Sequence, residues 1–240
     1  MQYVIADIHG CYEEYMELIE KISLSEEHDH LYILGDALDR GPEPMKTLLD
    51  IMNRRNVTYI IGNHDYLFLY FIRKLGLDLS KVESMSADDI SDFQAYLSDG
   101  GLTTIETFMK LQKEEKQAVR DFLENANAYD EVMIGNKRFV LVHAGICGFD
   151  EEKTLGEYEV LDFICERTDY NKRYYQDINT YVITGHTPTM YINVDSDSTV
   201  YIGNGHIAVD CGCVYGGKLV AYCMDSGKII YVDAKECYLK

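Results

Sequence analysis

The chain has 240 residues, of which 47% are hydrophobic and 26% charged, a mix that excludes a disordered or fibrous protein and leaves room for one sizeable α/β core. Asp and Glu number 41 against 22 Lys and Arg, and no basic run offers a footprint for a polyanion. The formal charge of -19 therefore argues for a solvated acidic surface and against nucleic acid as a partner.

Met1 leads directly into the strand-like run Tyr3 to Ala6, so no signal peptide is expected, and no apolar stretch approaches a membrane span. Tyr12 to Ile22 has helical spacing, Leu31 to Leu34 reads as a strand, and Met45 to Met52 reads as a helix after Pro42 and Pro44. Val57 to Ile61 is a β-branched run and Tyr66 to Leu75 is helical again. This β-α-β-α-β order predicts a sheet with helices on its faces. From about 77 to 128 polar helical segments dominate, including Ala87 to Leu97 and Glu114 to Asn127, and read as a helical insertion or cap within one domain spanning 1–240. Short strands follow at Arg138 to Val142, Tyr181 to Thr184, Ile207 to Val209, Lys218 to Met224 and Ile229 to Val232, with a turn at Asp225 to Gly227. Seven scattered Cys, odd in number, are not needed as staples and fit a reducing cytoplasm, and the lone pair Cys211 and Cys213 reads as alternating strand-end thiols and not as a zinc site.

Five short motifs stand where apolar runs end: Asp7-Ile-His9-Gly10, Gly35-Asp36-Ala-Leu-Asp39-Arg40-Gly41, Gly62-Asn63-His64-Asp65, His143-Ala-Gly145 and Gly185-His186-Thr187. One Asp or His after a strand is usually a cap or a turn residue. Five such loops, each beside a glycine, are hard to explain by core packing, and strand carboxyl ends are where ligands gather in helix-flanked sheets.

These motifs resemble the phosphoprotein-phosphatase branch of the calcineurin-like metallophosphoesterases, whose signature runs roughly GDxHG, GDxxDRG and GNHE before separate histidines. They are also similar to the symmetrical diadenosine tetraphosphate hydrolases, through Asp7 to Tyr12, Asn63 to Asp65 and Asp210-Cys-Gly-Cys-Val-Tyr-Gly-Gly217. Ala6 stands where the family often has Gly, and Asp65 replaces the Glu common in protein phosphatases, whereas the Asp39-Arg40 pair is theirs. The resemblance implies an α/β fold, a four-layer β-sandwich flanked by helices.

It further implies two divalent metals, manganese first and iron or zinc next, with Asp7 and His9 on one, Asn63, His143 and His186 on the other, and Asp36 shared. Carboxylate, imidazole and amide oxygen suit such ions. A hydroxide between the cations would attack phosphorus, and His64, oriented by Asp39, would protonate the leaving group. Arg40 would clamp phosphate oxygens, helped by Arg167, with Arg173 as the fallback. The leading expectation is a serine/threonine protein phosphatase acting on phosphoproteins. Its alternatives are hydrolysis of dinucleoside polyphosphates and a catalytically silent metal-binding module.

Overall fold

In the computed structural model, which describes residues 1–238 apart from the Ser84 side chain, the apolar runs pair into two five-stranded sheets. The first contains β1 (Gln2–Ile5), β2 (His30–Ile33) and β3 (Val57–Tyr59) in parallel, and β1 also pairs antiparallel with β9 (Lys218–Cys223), which carries β10 (Ile229–Asp233). The second contains β5 (Lys137–Val142), β6 (Thr180–Thr184) and β8 (His206–Ala208) in parallel. Antiparallel edges are supplied by β4 (Tyr129–Ile134) next to β5 and by β7 (Tyr201–Gly203) next to β8.

The period of two along each strand sends neighbouring side chains to opposite faces. Val4, Tyr32, Leu34 and Ile60 of one sheet meet Phe139, Leu141, Ile183 and Ile207 of the other in a core between the sheets. Ile5, Leu31, Ile33 and Tyr59 point the other way, under α1 (Tyr12–Ile22), α2 (Pro44–Asn53) and α3 (Asn63–Leu75). Val140, Val142 and Val182 are covered in turn by Phe163 and Ile164 of α7 (Val160–Ile164). The expected sandwich of two sheets flanked by helices is therefore the observed architecture. Burying both faces explains the near-continuous apolar runs, each Val, Leu or Ile contributing about 1.5–3 kcal/mol.

α1 buries Tyr15, Leu18, Ile19 and Ile22, spaced three and four apart, and ends where Ser23 turns left-handed at φ 50°. α3 begins at Asn63, three residues before the helical run at Tyr66, so Asn63 and His64 occupy a helical first turn and not a loop. Asp65 causes the early start, since its carboxylate accepts the Gly62 N–H at 3.0 Å and caps the helix.

Between β3 and β4 lie α4 (Ala87–Tyr96), α5 (Leu102–Met109) and α6 (Lys113–Glu124). The turn Leu97–Gly101 joins α4 to α5. Gly100 adopts φ 103°, and a Cβ there would overlap the Arg40 backbone, so glycine lets this turn lie against Arg40, whose N–H donates to the Gly100 carbonyl at 3.0 Å. Cys211 and Cys213 sit in the loop after β8, both buried, instead of at strand ends. No helix among the described residues is long and apolar enough to cross a membrane.

Candidate active site

Each of the six parallel strands releases a polar residue within four positions of its carboxyl end: Asp7 after β1, Asp36 after β2, Asn63 after β3, His143 after β5, His186 after β6 and Asp210 after β8. Parallel pairing puts these ends on one side, so both sheets deliver side chains to one crevice. The backbone bends sharply to do so. Among the described residues ten that are not glycine have positive φ, and six of them are Asp7, His9, Asp36, Asp39, Arg40 and His186. Such conformations cost roughly 1–3 kcal/mol each and persist only where the surroundings over-determine them.

Those surroundings are visible around Asp36. Its N–H donates to Asp65 Oδ2 at 2.8 Å, and its Oδ1 accepts the His64 N–H at 3.0 Å. Gly62 has no room for a Cβ, which would overlap Asp36 Oδ1. Tyr59 donates its hydroxyl to Asp65 Oδ2 at 2.8 Å, so one buried carboxylate ties β3, the loop after β2 and the start of α3 together.

Asp36 Oδ2 then stands 3.4 Å from His143 Nε2 and 3.7 Å from His9 Nε2. His143 donates its Nδ1–H to the Leu34 carbonyl at 2.6 Å, and His9 donates its own to the Leu38 carbonyl at 2.7 Å. These bonds place a proton on each Nδ1 and turn each Nε2 toward Asp36. Asn63 Oδ1 lies 2.9 Å from both His143 Nε2 and His186 Nδ1. Acceptor atoms this close in a buried space need a proton or a cation between them, and a set of carboxylate, imidazole and amide oxygen fits a divalent metal in that place. Two clusters form, His9 with Asp36 and His64, and Asp36 with His143 and His186, and Asp36 is common to both. Neither contains a Cys.

Asp7 belongs to neither cluster; its Oδ2 accepts the His186 N–H at 2.9 Å. Burial, and then the charge of Asp210, push the Asp7 carboxyl well above its usual range. Burial also raises Asp210, whose Oδ1 accepts the Gly212 N–H at 2.9 Å. Two buried carboxylates side by side are a further mark of a place suited to divalent cations. Burial would raise Asp36 as well, but the charges of His143 and His64 outweigh it and hold that carboxyl well below its usual range. Asp210 went unassigned in the sequence reading, although it obeys the same pattern of an acidic residue two positions past a parallel strand.

His64 Nδ1 lies 2.7 Å from Asp39 Oδ2 and is almost fully buried with it. Burial disfavours the imidazolium, yet Asp36 and the Asp39 hydrogen bond prevail and raise the His64 pKa above its ordinary value. Asp39 is itself gripped by α4 and α5. Thr104 Oγ1 donates to Asp39 Oδ1 at 2.5 Å and accepts the Asp39 N–H at 2.8 Å, while the Tyr96 hydroxyl donates to the same Oδ1 at 2.9 Å. These two helices thus hold the partner of His64, a role that no motif announced because the contacts join residues 57 and 65 positions apart. Thr104→Val keeps shape but leaves the Asp39 N–H unpaired and its carboxylate short of a donor. A loss of about 1–3 kcal/mol is expected from urea unfolding, and an unchanged midpoint would remove Thr104 from this clamp.

A cavity of 500 Å³ opens over these groups, lined by Asp36, Arg40, Asn63, His64, Asp99, Arg167 and His186 among others. The Arg40 guanidinium lies 2.7 Å from both His9 Nε2 and His64 Nε2, so it closes over the same two imidazoles. Asp99 faces Arg40 and His64, each at 3.7 Å, and Tyr215 lies beneath the guanidinium. Arg167 reaches the cavity. The fallback Arg173 does not, because its guanidinium donates to the carbonyls of Tyr175, Asp177 and Thr180.

The family model described as calcineurin-like phosphoesterase matches residues 3–222. The chain belongs to this family. It is accordingly a metal-dependent phosphoester hydrolase, with the donors of a two-metal site in place. Among curated proteins it is 26% identical to an asymmetrical bis(5'-nucleosyl)-tetraphosphatase of Geobacillus sp. strain WCH70, over 91% of this chain and 88% of that one. It is 28% identical to a symmetrical bis(5'-nucleosyl)-tetraphosphatase of Marinomonas sp. strain MWYL1, over 91% of this chain and 92% of that one. In fold it is similar to a protein serine/threonine phosphatase from Saccharomyces cerevisiae, with TM-score 0.58 and 13% identity over 98% of this chain and 79% of that one. The named relatives thus favour the dinucleoside polyphosphate alternative over the protein phosphatase expected first.

Proposed function

We propose that this metallophosphoesterase hydrolyses bis(5'-nucleosyl) tetraphosphates. The observation that carries the reading is that relatives with that activity in their names align along nearly the whole chain, cap included. A single phosphatase core shared by fold alone would not favour one substrate class.

Within this reading Asp7 and His9 hold one divalent cation, Asn63, His143 and His186 hold a second, and Asp36 serves both, with manganese the first choice of metal. Such cations supply positive charge beside the phosphoryl oxygens and acidify a water at neutral pH. Arg40 and Arg167 converge on the same cavity and offer planar forks for phosphate oxygens. His64 Nε2 points into that cavity and gives its proton to the leaving oxygen, while Asp39 accepts the Nδ1–H and stabilises the cationic ring.

The test is a manganese-supplemented assay of diadenosine tetraphosphate against a phosphoserine peptide, with products resolved. The dinucleotide should be preferred at least about tenfold in kcat/KM, a difference of about 1.4 kcal/mol in transition-state binding. Water entering at the central anhydride yields two ADP, and water entering next to a nucleoside phosphate yields AMP and ATP. One feature keeps the phosphopeptide arm in the comparison: the 2.7 Å contact between His64 and Asp39 equips the site to protonate an alkoxide, which a nucleotide leaving group needs less. Preference for the peptide would replace the present reading with a protein phosphatase.

A further inference from the structure

A second cavity, of 440 Å³, adjoins the one above the metal-type ligands, and Arg167 and Tyr191 line both. Its character differs. Where the first is ringed mostly by charged and imidazole groups, the second sets Tyr191, Ile192, Val194 and Tyr201 opposite a polar wall that includes Asp169 and Asn171. Tyr191 leaves 70% of its surface exposed and Val194 all of it, which is unusual for a contiguous apolar group on an acidic surface.

The exposure is not looseness. The Tyr191 N–H donates to the Pro188 carbonyl at 2.9 Å, closing a tight turn, and the Thr189 N–H of that turn donates to the Asp210 carbonyl at 2.8 Å. Asn193 Nδ2 then donates to the Asp197 and Thr199 carbonyls, at 3.1 and 2.9 Å, and stitches the following loop. A flat ring is thereby held out at the rim on a braced turn. On the cavity wall Thr187, only 5% exposed, has a buried hydroxyl with no hydrogen-bond partner among the described residues. A buried hydroxyl left without a partner costs about as much as a lost hydrogen bond, and a ligand polar group entering this cavity would supply one.

We propose that this cavity is a nucleoside subsite: Tyr191 stacks on the base, the Thr187 hydroxyl bonds a polar atom of the nucleoside, and Arg167 receives the phosphate chain where the two cavities meet. The volume lies within the range of about 300–1,000 Å³ common for small-molecule sites. An aromatic face accepts any base, since every base has a π-face, so the subsite selects for a nucleoside over none more than for one base over another. The proposal rests on the tetraphosphatase reading and names which part of such a substrate sits where.

The experiment follows initial rates of p-nitrophenyl phosphate hydrolysis with manganese and measures inhibition by ADP and by inorganic phosphate, in the wild type and in Tyr191→Ala. Inorganic phosphate needs only the charged cavity, whereas ADP needs both. In Tyr191→Ala the ratio of the ADP to the phosphate inhibition constant should rise at least about fivefold, the lower end of what losing a base stack costs. Tyr191→Phe should keep the ratio within about twofold because the ring remains. Thr187→Val should raise the ratio in the same sense. Equal shifts for ADP and phosphate, or no shift, would overturn the subsite. Turnover of diadenosine tetraphosphate by the wild type is scored separately. If it is missing while the ADP selectivity depends on Tyr191, the tetraphosphatase reading fails and the nucleoside subsite stands.

Discussion

Asp36→Asn is expected to lower turnover about 10³-fold and to weaken both metal sites together. The substitution is nearly isosteric, and a side-chain carbonyl oxygen can still accept the His64 N–H now bound at 3.0 Å, so the fold should survive. What changes is charge at the atom that faces His143 and His9 at once. Asp36 is the one residue that the two donor clusters share, so its loss acts on both, whereas His186→Ala should act mainly on one. Metal content by plasma mass spectrometry on dialysed protein, read with the rate, checks this. Two equivalents of metal retained at full occupancy, or a rate within tenfold of the wild type, would show that Asp36 bridges nothing.

The second large effect concerns His64. If its task is to protonate the leaving oxygen, His64→Asn should lower the rate on a phosphoserine peptide about 10²- to 10⁴-fold, the loss expected for a general acid. On p-nitrophenyl phosphate, whose phenolate leaves without help, the factor should be clearly smaller, and on a dinucleoside tetraphosphate it should be small too. Asp39→Asn should reproduce the pattern in milder form, since Asp39 only orients the ring and favours its cation. His64 also lies within reach of His9 and Asp36 in a ligand-like cluster, which gives the experiment a second edge. Equal losses on all substrates together with a missing metal equivalent would make His64 a ligand and leave the reaction without this acid.

Much of this arrangement was legible in the sequence because its parts are local. A strand buried on both faces writes itself as an apolar run, and a polar residue delivered to the crevice at its carboxyl end follows within a few residues; Asp7, Asp36, Asn63, His143 and His186 all obey this. Edge elements were harder. In β4 only Val132 is buried, and β7 is three residues long and closes on Gly203, so neither produces a run. α5 follows directly on Gly100 and Gly101, which read as an interruption but serve as a close-packed joint against Arg40. The grip of Tyr96 and Thr104 on Asp39 was invisible for a different reason, since a Tyr and a Thr in a polar helical stretch carry no chemical signature until the cap folds down. The left-handed backbone at six site residues is likewise a property of tertiary restraint, as none of the six is a glycine that would have advertised it.

The division of the proposed ligands between two sheets also bears on how the chain is made. The first 63 residues supply Asp7, His9, Asp36 and Asn63, but His143 and His186 come from strands that emerge from the ribosome some eighty residues or more later. Until the second sheet closes over the first, the early segment's share of the site is two carboxylates, one imidazole and one amide, a weak and unselective trap for a cation. High-affinity capture must then follow the docking of the sheets and cannot guide the first one. Once captured, the ions fasten both halves, and anything that binds only the folded form raises the work of opening it. Chains without metal would part more easily along the seam between the sheets, and a protease that samples open states should cleave them before the metal-loaded form.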